Sequence, residues 1–88
     1  MQTYNLTVAD PHGLHLRVAA KIVNLVKQNR TKVRLFGADN RQADGGSILA
    51  LLTLNAQQGN SIRVEVDGAD ESRVAARLSE IFSDGGGI

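Results

Sequence analysis

His15 is the side chain in this sequence best placed to do chemistry. It follows a glycine-containing loop in the run Gly-Leu-His-Leu-Arg at residues 13–17, directly before a predicted helix. Unpaired backbone N–H groups and the positive end of the helix dipole favour an anion at such a position. One nitrogen of a neutral imidazole can act as a nucleophile while a hydrogen bond fixes the other. Arg17 can hold phosphoryl oxygens through charge-assisted hydrogen bonds.

The same residues have a plainer interpretation. His15 could simply cap the helix, with Arg17 a solvated surface charge, and local physics alone leaves both interpretations open. The basic residues lie mainly before Ser47, whereas the acidic residues concentrate after Glu65. This asymmetry favours an acidic protein partner or an anionic ligand.

The elements that must position His15 follow from hydrophobic periodicity. Period-two alternation predicts strands over residues 4–8, 32–36, 41–43 and 62–66. Helical stripes predict helices over residues 16–28, from Ile48 to a close at residues 57–60, and from residue 70 through Phe82, with Ser47 capping the second. The order β-α-β-β-α-β-α predicts an α+β fold, an open-faced sandwich of one four-stranded antiparallel sheet with three helices on one face.

Composition limits the class of protein. The 88 residues fit a single domain over residues 1–88, with residues 85–88 expected to fray. A net charge of +1 and 3% aromatic residues are unlike a nucleic-acid binder, and no apolar run is long enough to insert in a membrane. The chain has no cysteine, so we expect a cytoplasmic protein without disulfides.

Other chemistries lack the residues they need. His12 and His15 could form a metal pair, but no third or fourth ligand lies nearby in the sequence, so we expect no metal and no cofactor. Neither a nucleotide-binding loop nor a nucleophile–base arrangement for hydrolysis is present. A free-standing hydrolase or kinase is therefore unsupported.

A resemblance extends over nearly the whole chain. Residues 13–20, Gly-Leu-His-Leu-Arg-Val-Ala-Ala, resemble the active-site segment of the histidine-containing phosphocarrier family HPr, whose pattern is Gly-[Leu/Ile/Met]-His-x-Arg-Pro-Ala. The later landmarks of that family correspond in this sequence to residues 47–52, Gly59, residues 64–66 and the helix start at residues 68–71. The run Ser-Ile-Leu-Ala-Leu-Leu and the Phe-Ser ending at residues 82–83 are similar to NPr, the nitrogen-linked branch.

The resemblance implies a phosphoryl carrier rather than a free-standing enzyme. Enzyme I, with phosphoenolpyruvate as the ultimate donor, would phosphorylate a ring nitrogen of His15, and an enzyme IIA-type protein would accept the group. Arg17 would be the electrostatic partner of the phosphoryl group. We expect the protein to act as a monomer. The implied docking residues are Leu16, Lys21, Ile48, Leu49 and Leu52. Because apolar residues in a short helix also fit a core, which of the last three is exposed stays open.

Val18 departs from the family pattern, and Ser47 has two possible roles. Val18 stands where the family has proline, which puts the transfer rate in question and adds an N–H donor early in the helix. Ser47 matches a serine that some HPr proteins expose to a regulatory kinase, although capping is the interpretation we favour because Asp44-Gly45-Gly46 lacks the usual basic residue. The alternative function is a regulatory module that docks kinases, transporters or transcription regulators with slow or no phosphotransfer.

Overall fold

The computed structural model describes residues 1–83, so the predicted frayed end at residues 85–88 lies outside the described part. The elements occur in the predicted order, with a single 3₁₀ turn at Ala38–Asn40 inside the predicted hairpin turn. They are β1 (Gln2–Thr7), α1 (Leu16–Asn29), β2 (Lys32–Phe36), β3 (Gln42–Asp44), α2 (Ile48–Thr53), β4 (Ser61–Asp67) and α3 (Glu71–Ser83). The predicted α+β fold is confirmed.

The four strands form one antiparallel sheet in the order β1-β4-β2-β3. β4 is central, with Val64 paired to Tyr4 on one side and to Leu35 on the other. Its apolar residues are buried, whereas Ser61 and Arg63 are exposed on the opposite face. This alternation leaves one face of the sheet to solvent and directs the other to the core.

The helices cover the apolar face of the sheet. Ile22 of α1, Leu51 of α2 and Leu78 of α3 are fully buried in one hydrophobic core that includes residues of β2 and β4. Burying a side chain of this kind contributes about 1.5–3 kcal/mol, so packing rather than helix propensity holds the helices in place. Within residues 1–83, no helix has the length and apolar character needed to cross a bilayer.

α2 ends earlier than the sequence predicts. It stops at Thr53, whereas the sequence placed its end at residues 57–60. Asn55 adopts a left-handed conformation with φ of 52°, which ends the helix, and Leu54 and Ala56 turn inward to become buried. The end point therefore reflects the packing of these two apolar residues together with an asparagine that tolerates the left-handed conformation.

The segment after α2 anchors the loop that carries His15. The Leu14 N–H donates to the Ala56 carbonyl at 2.9 Å, and the Leu14 side chain is buried. Gly13 has φ of +73°, and a Cβ atom added there would lie 2.3 Å from the Ala56 carbonyl oxygen. Only glycine therefore permits this close approach of the two backbone segments.

Replacing Gly13 by alanine tests this anchor. We expect Gly13→Ala to lower the free energy of unfolding by about 2–4 kcal/mol, because it combines left-handed strain with a backbone clash. Gly59→Ala is the matched control: its φ is +89°, but nothing lies within 4 Å of the added Cβ atom. The control should lose about 1 kcal/mol from strain alone. Urea denaturation measures both, and equal losses would contradict the close approach.

Candidate functional site

His15 occupies the N-cap position of α1. Its backbone is extended, with φ of −94° and ψ of −178°, and its carbonyl accepts the first helical hydrogen bond from the Ala19 N–H at 2.9 Å. The ring Nδ1 accepts the Arg17 N–H at a donor–acceptor distance of 3.3 Å. The side chain is 31% exposed, so the ring is both held by the helix terminus and open to solvent.

Asp10 holds the other ring nitrogen. Its Oδ2 lies 3.0 Å from His15 Nε2, while its Oδ1 accepts the His12 N–H at 2.8 Å. The Asp10 carbonyl accepts the Gly13 N–H at 2.9 Å, which closes the turn, and the carboxylate is only 12% exposed. The loop at residues 10–13 therefore folds back so that a nearly buried carboxylate meets the imidazole.

The surroundings of Asp10 favour its charged form. The hydrogen bond from the His12 N–H holds the pKa of Asp10 below its ordinary value of 3.8, and the hydrogen bond with the His15 ring acts in the same direction. Burial of the carboxyl opposes these effects without reversing them. Asp10 is thus a carboxylate at neutral pH.

The two hydrogen bonds define the tautomer of neutral His15. The Arg17 N–H can only donate, so Nδ1 must present its lone pair. An ionised carboxylate can only accept, so Nε2 must carry the proton. Nδ1, the nitrogen that carries the lone pair, therefore faces the N-terminus of α1.

The first turn of α1 offers further donors beside Nδ1. Among residues 1–83, no protein group accepts the Leu16 or Val18 backbone N–H, as expected for the first turn of a helix. The Val18 side chain is buried in the core, and its N–H has no acceptor among residues 1–83. The Arg17 side chain is exposed and takes part in no ion pair with residues 1–83.

His12 lies beside His15 without completing a metal site. The two rings meet edge to face, with centroids 6.0 Å apart. In the described part of the chain, no group of three or more His, Cys, Asp or Glu side chains is placed to hold a metal ion. The imidazole pair is therefore two rings in contact near one carboxylate.

Ser47 is the N-cap of α2, and the predicted docking residues lie on α1 and α2. The Ser47 hydroxyl accepts the Ala50 N–H at 3.2 Å, which is the predicted N-cap. Leu49 is 77% exposed and Leu16 is 61% exposed, whereas Ile48 and Leu52 pack partly against the core. Lys21 is also exposed. Of the three apolar docking candidates in α2, Leu49 is therefore the exposed one.

Sequence analysis did not assign Asp10 to the site. The sequence places Asp10 in the run Asp-Pro-His-Gly at residues 10–13, which is typical of a turn. The available signal was the aspartate at the first position of this turn, where its side chain typically accepts the N–H two residues on. That signal predicts the His12 contact, but not the contact with His15, which depends on how the loop is anchored.

Comparisons with known proteins agree with this fold. The family model described as PTS HPr component phosphorylation site matches residues 2–84. The chain is 37% identical over 82 residues to phosphocarrier protein HPr of Xylella fastidiosa strain Temecula1, covering 93% of this chain and 91% of the relative. It is 32% identical over 84 residues to phosphocarrier protein NPr of Proteus mirabilis, covering 96% and 93%.

A solved structure matches over the whole chain. HPr-C-His from Thermoanaerobacter tengcongensis superimposes with a TM-score of 0.88 at 24% identity, covering 100% of this chain and 98% of that one. The fold is that of a small phosphocarrier protein. The chain belongs to the HPr family of phosphocarriers of the phosphotransferase system, which includes relatives of the NPr branch.

Proposed function

We propose that this protein carries a phosphoryl group on Nδ1 of His15. An enzyme I supplies the group, with phosphoenolpyruvate as the ultimate donor, and an enzyme IIA-type protein receives it. The observation that carries the proposal is the pair of contacts on the imidazole: Nε2 is tied to Asp10 at 3.0 Å, which leaves Nδ1 as the nucleophile. We therefore propose Nδ1 as the phosphorylated nitrogen, where the sequence left either ring nitrogen open.

The start of α1 supplies the groups that would stabilise the phosphoryl oxygens. The Arg17 N–H contacts Nδ1 at 3.3 Å, a long hydrogen bond that costs little to exchange for a phosphoryl oxygen. The Leu16 and Val18 N–H groups and the exposed Arg17 guanidinium add further donors. Valine in place of the family's proline thus contributes an N–H, and we expect phosphorylation to proceed with it.

The partner surface is proposed at the beginnings of α1 and α2, which pack against each other. Leu16 and Leu49 expose apolar side chains there, and Lys21 adds positive charge next to Arg17. Apolar anchors within a basic rim fit partners with an acidic docking face. His15, Asp10 and these anchors all belong to one chain, so a monomer suffices for the proposed function, and we expect it to act in the cytoplasm.

Phosphorylation by an enzyme I and phosphoenolpyruvate tests the carrier function. Intact mass should show the gain of one phosphate that is lost on acid treatment, because N–P bonds to imidazole are acid-labile. His15→Ala should gain none, and Arg17→Ala should gain it about 10- to 100-fold more slowly, since one charged phosphoryl ligand is lost. No gain with a cognate enzyme I would favour the regulatory docking module instead.

The same assay checks the effect of position 18. Val18 has no helical acceptor for its N–H, so Val18→Pro removes no hydrogen bond within the protein. A Val18→Pro variant that gains phosphate far faster than a nearly inert parent would contradict the expectation that valine is tolerated.

Truncating Leu49 tests the docking surface. Because this side chain is 77% exposed, Leu49→Ala should change the free energy of unfolding by less than about 0.5 kcal/mol. Its affinity for enzyme I should fall about 5- to 30-fold, since an apolar anchor is lost at the interface. Isothermal titration calorimetry measures the affinity, with Thr3→Ala on the open sheet face as the control. Equal affinities for both variants would place the docking surface elsewhere.

A further inference from the structure

We propose that Asp10 is a positioning residue for phosphotransfer: it fixes the nucleophilic tautomer of His15 and then balances the positive charge that the ring gains on phosphorylation. The inference rests on the proposed phosphoryl-carrier function and extends it to a residue outside the His-x-Arg motif. It assigns a role to a carboxylate that neither the sequence pattern nor the family description marks.

The contact is built into the loop rather than made by a mobile surface side chain. Both carboxylate oxygens are engaged, Oδ1 by the His12 N–H and Oδ2 by the ring. The Gly13 N–H closes the same turn on the Asp10 carbonyl. A short, nearly buried side chain held at two points directs its Oδ2 at His15 Nε2 with little entropy left to lose.

Both neighbours of the ring select the same tautomer. With the proton on Nε2, the ring donates to Asp10 and accepts from the Arg17 N–H. With the proton on Nδ1, a ring N–H would face the Arg17 N–H, and an unprotonated nitrogen would face a carboxylate. Because that second arrangement replaces two hydrogen bonds by two repulsive contacts, Asp10 keeps the Nδ1 lone pair available for attack.

The charge balance of the transfer gives Asp10 its second role. The Nδ1 lone pair forms the new N–P bond as the bond between phosphorus and the donor's nitrogen breaks, and that electron pair returns to the donor. The Nε2 proton stays in place, so the ring of His15 changes from neutral to cationic. In the onward step the N–P electron pair returns to Nδ1, and the ring becomes neutral again without exchanging a proton with solvent.

Asp10 is the negative group placed to offset that transient charge. Among residues 1–83, the other titratable or charged side chains next to the ring are His12, with its centroid 6.0 Å away, and Arg17, which opposes a second positive charge. The α3 residues that line the small space beside Asp10, Ile81 and Phe82, are apolar. A carboxylate 3.0 Å from Nε2 therefore stabilises the phosphorylated ring in its protonated form, from which the phosphoryl group leaves most readily.

Asp10→Asn is the sharpest variant because it preserves shape and the His12 contact. Its amide oxygen can still accept the His12 N–H, which turns the NH₂ group towards Nε2 and selects the opposite tautomer. Nitrogen-15 correlation spectra of the ring at pH 8 should show Nε2–H in the parent and a shift towards Nδ1–H in the variant. Phosphate gain from phosphorylated enzyme I should slow about tenfold or more. Asp39→Asn, which removes a carboxylate from an exposed turn, should change neither.

A second measurement follows the charge on the phosphorylated ring. After prolonged phosphorylation of Asp10→Asn, the phosphorylated ring should lose its Nε2 proton at a lower pH than in the parent, because the carboxylate that faces it has been removed. Asp10 itself stays ionised over the range used, since its pKa lies below the ordinary value of 3.8. A loss of packing that only exposed the ring would move this titration in the opposite direction, because water favours the charged form.

The outcomes separate this proposal from the carrier function. A parent spectrum without Nε2–H overturns the role of Asp10 even if the variant fails to fold. A phosphorylated parent with Asp10→Asn transferring within twofold of it, and an unchanged ring titration, also overturns it and leaves the carrier function standing. A parent that gains no phosphate defeats the carrier function, and with it this extension.

Discussion

The structure of the site depends on one constraint, the fixing of both nitrogens of a single imidazole. Asp10 engages Nε2 and the Arg17 N–H engages Nδ1, so His15 presents one lone pair in one direction. That arrangement requires α1 to begin at Leu16 and the turn at residues 10–13 to close two residues before the histidine. The proposed phosphotransfer at Nδ1 would need few other groups of the protein. The phosphoryl group carries its own negative charge, and the first turn of α1 supplies N–H donors for it.

The scaffold serves that constraint by holding two backbone segments together. β1 leads into the Asp10 turn, and the segment after α2 receives Leu14 on the carbonyl of Ala56. The sheet and the three helices meet in one core, so the start of α1 is braced by long-range packing although it lies at the surface. The exposed Leu16 follows His15 directly, and the exposed Leu49 lies on α2, which packs against α1, so the proposed partner surface adjoins the proposed phosphorylation site.

Much of this was predictable from sequence where the signal is local. The alternating residues of β4, the stripe of α1, the Ser47 cap and the placement of His15 at a helix start all depend on neighbouring residues. The end of α2 was predicted wrongly because the burial of Leu54 and Ala56 is a tertiary effect. Asp10 was missed for the same reason, since its contact with His15 exists only once the loop is anchored. In α2, apolar residues occur on every side, so periodicity could not single out Leu49 as the exposed one.

The identity of the phosphorylated nitrogen tests whether Asp10 holds Nε2 and leaves Nδ1 of His15 as the nucleophile. Protein labelled with nitrogen-15 in histidine, phosphorylated through enzyme I, should show a one-bond coupling between phosphorus and Nδ1 of His15. Nε2 of the same ring should retain its proton, because Asp10 accepts it. Coupling to Nε2, or phosphate on His12 or any other residue, would contradict the account.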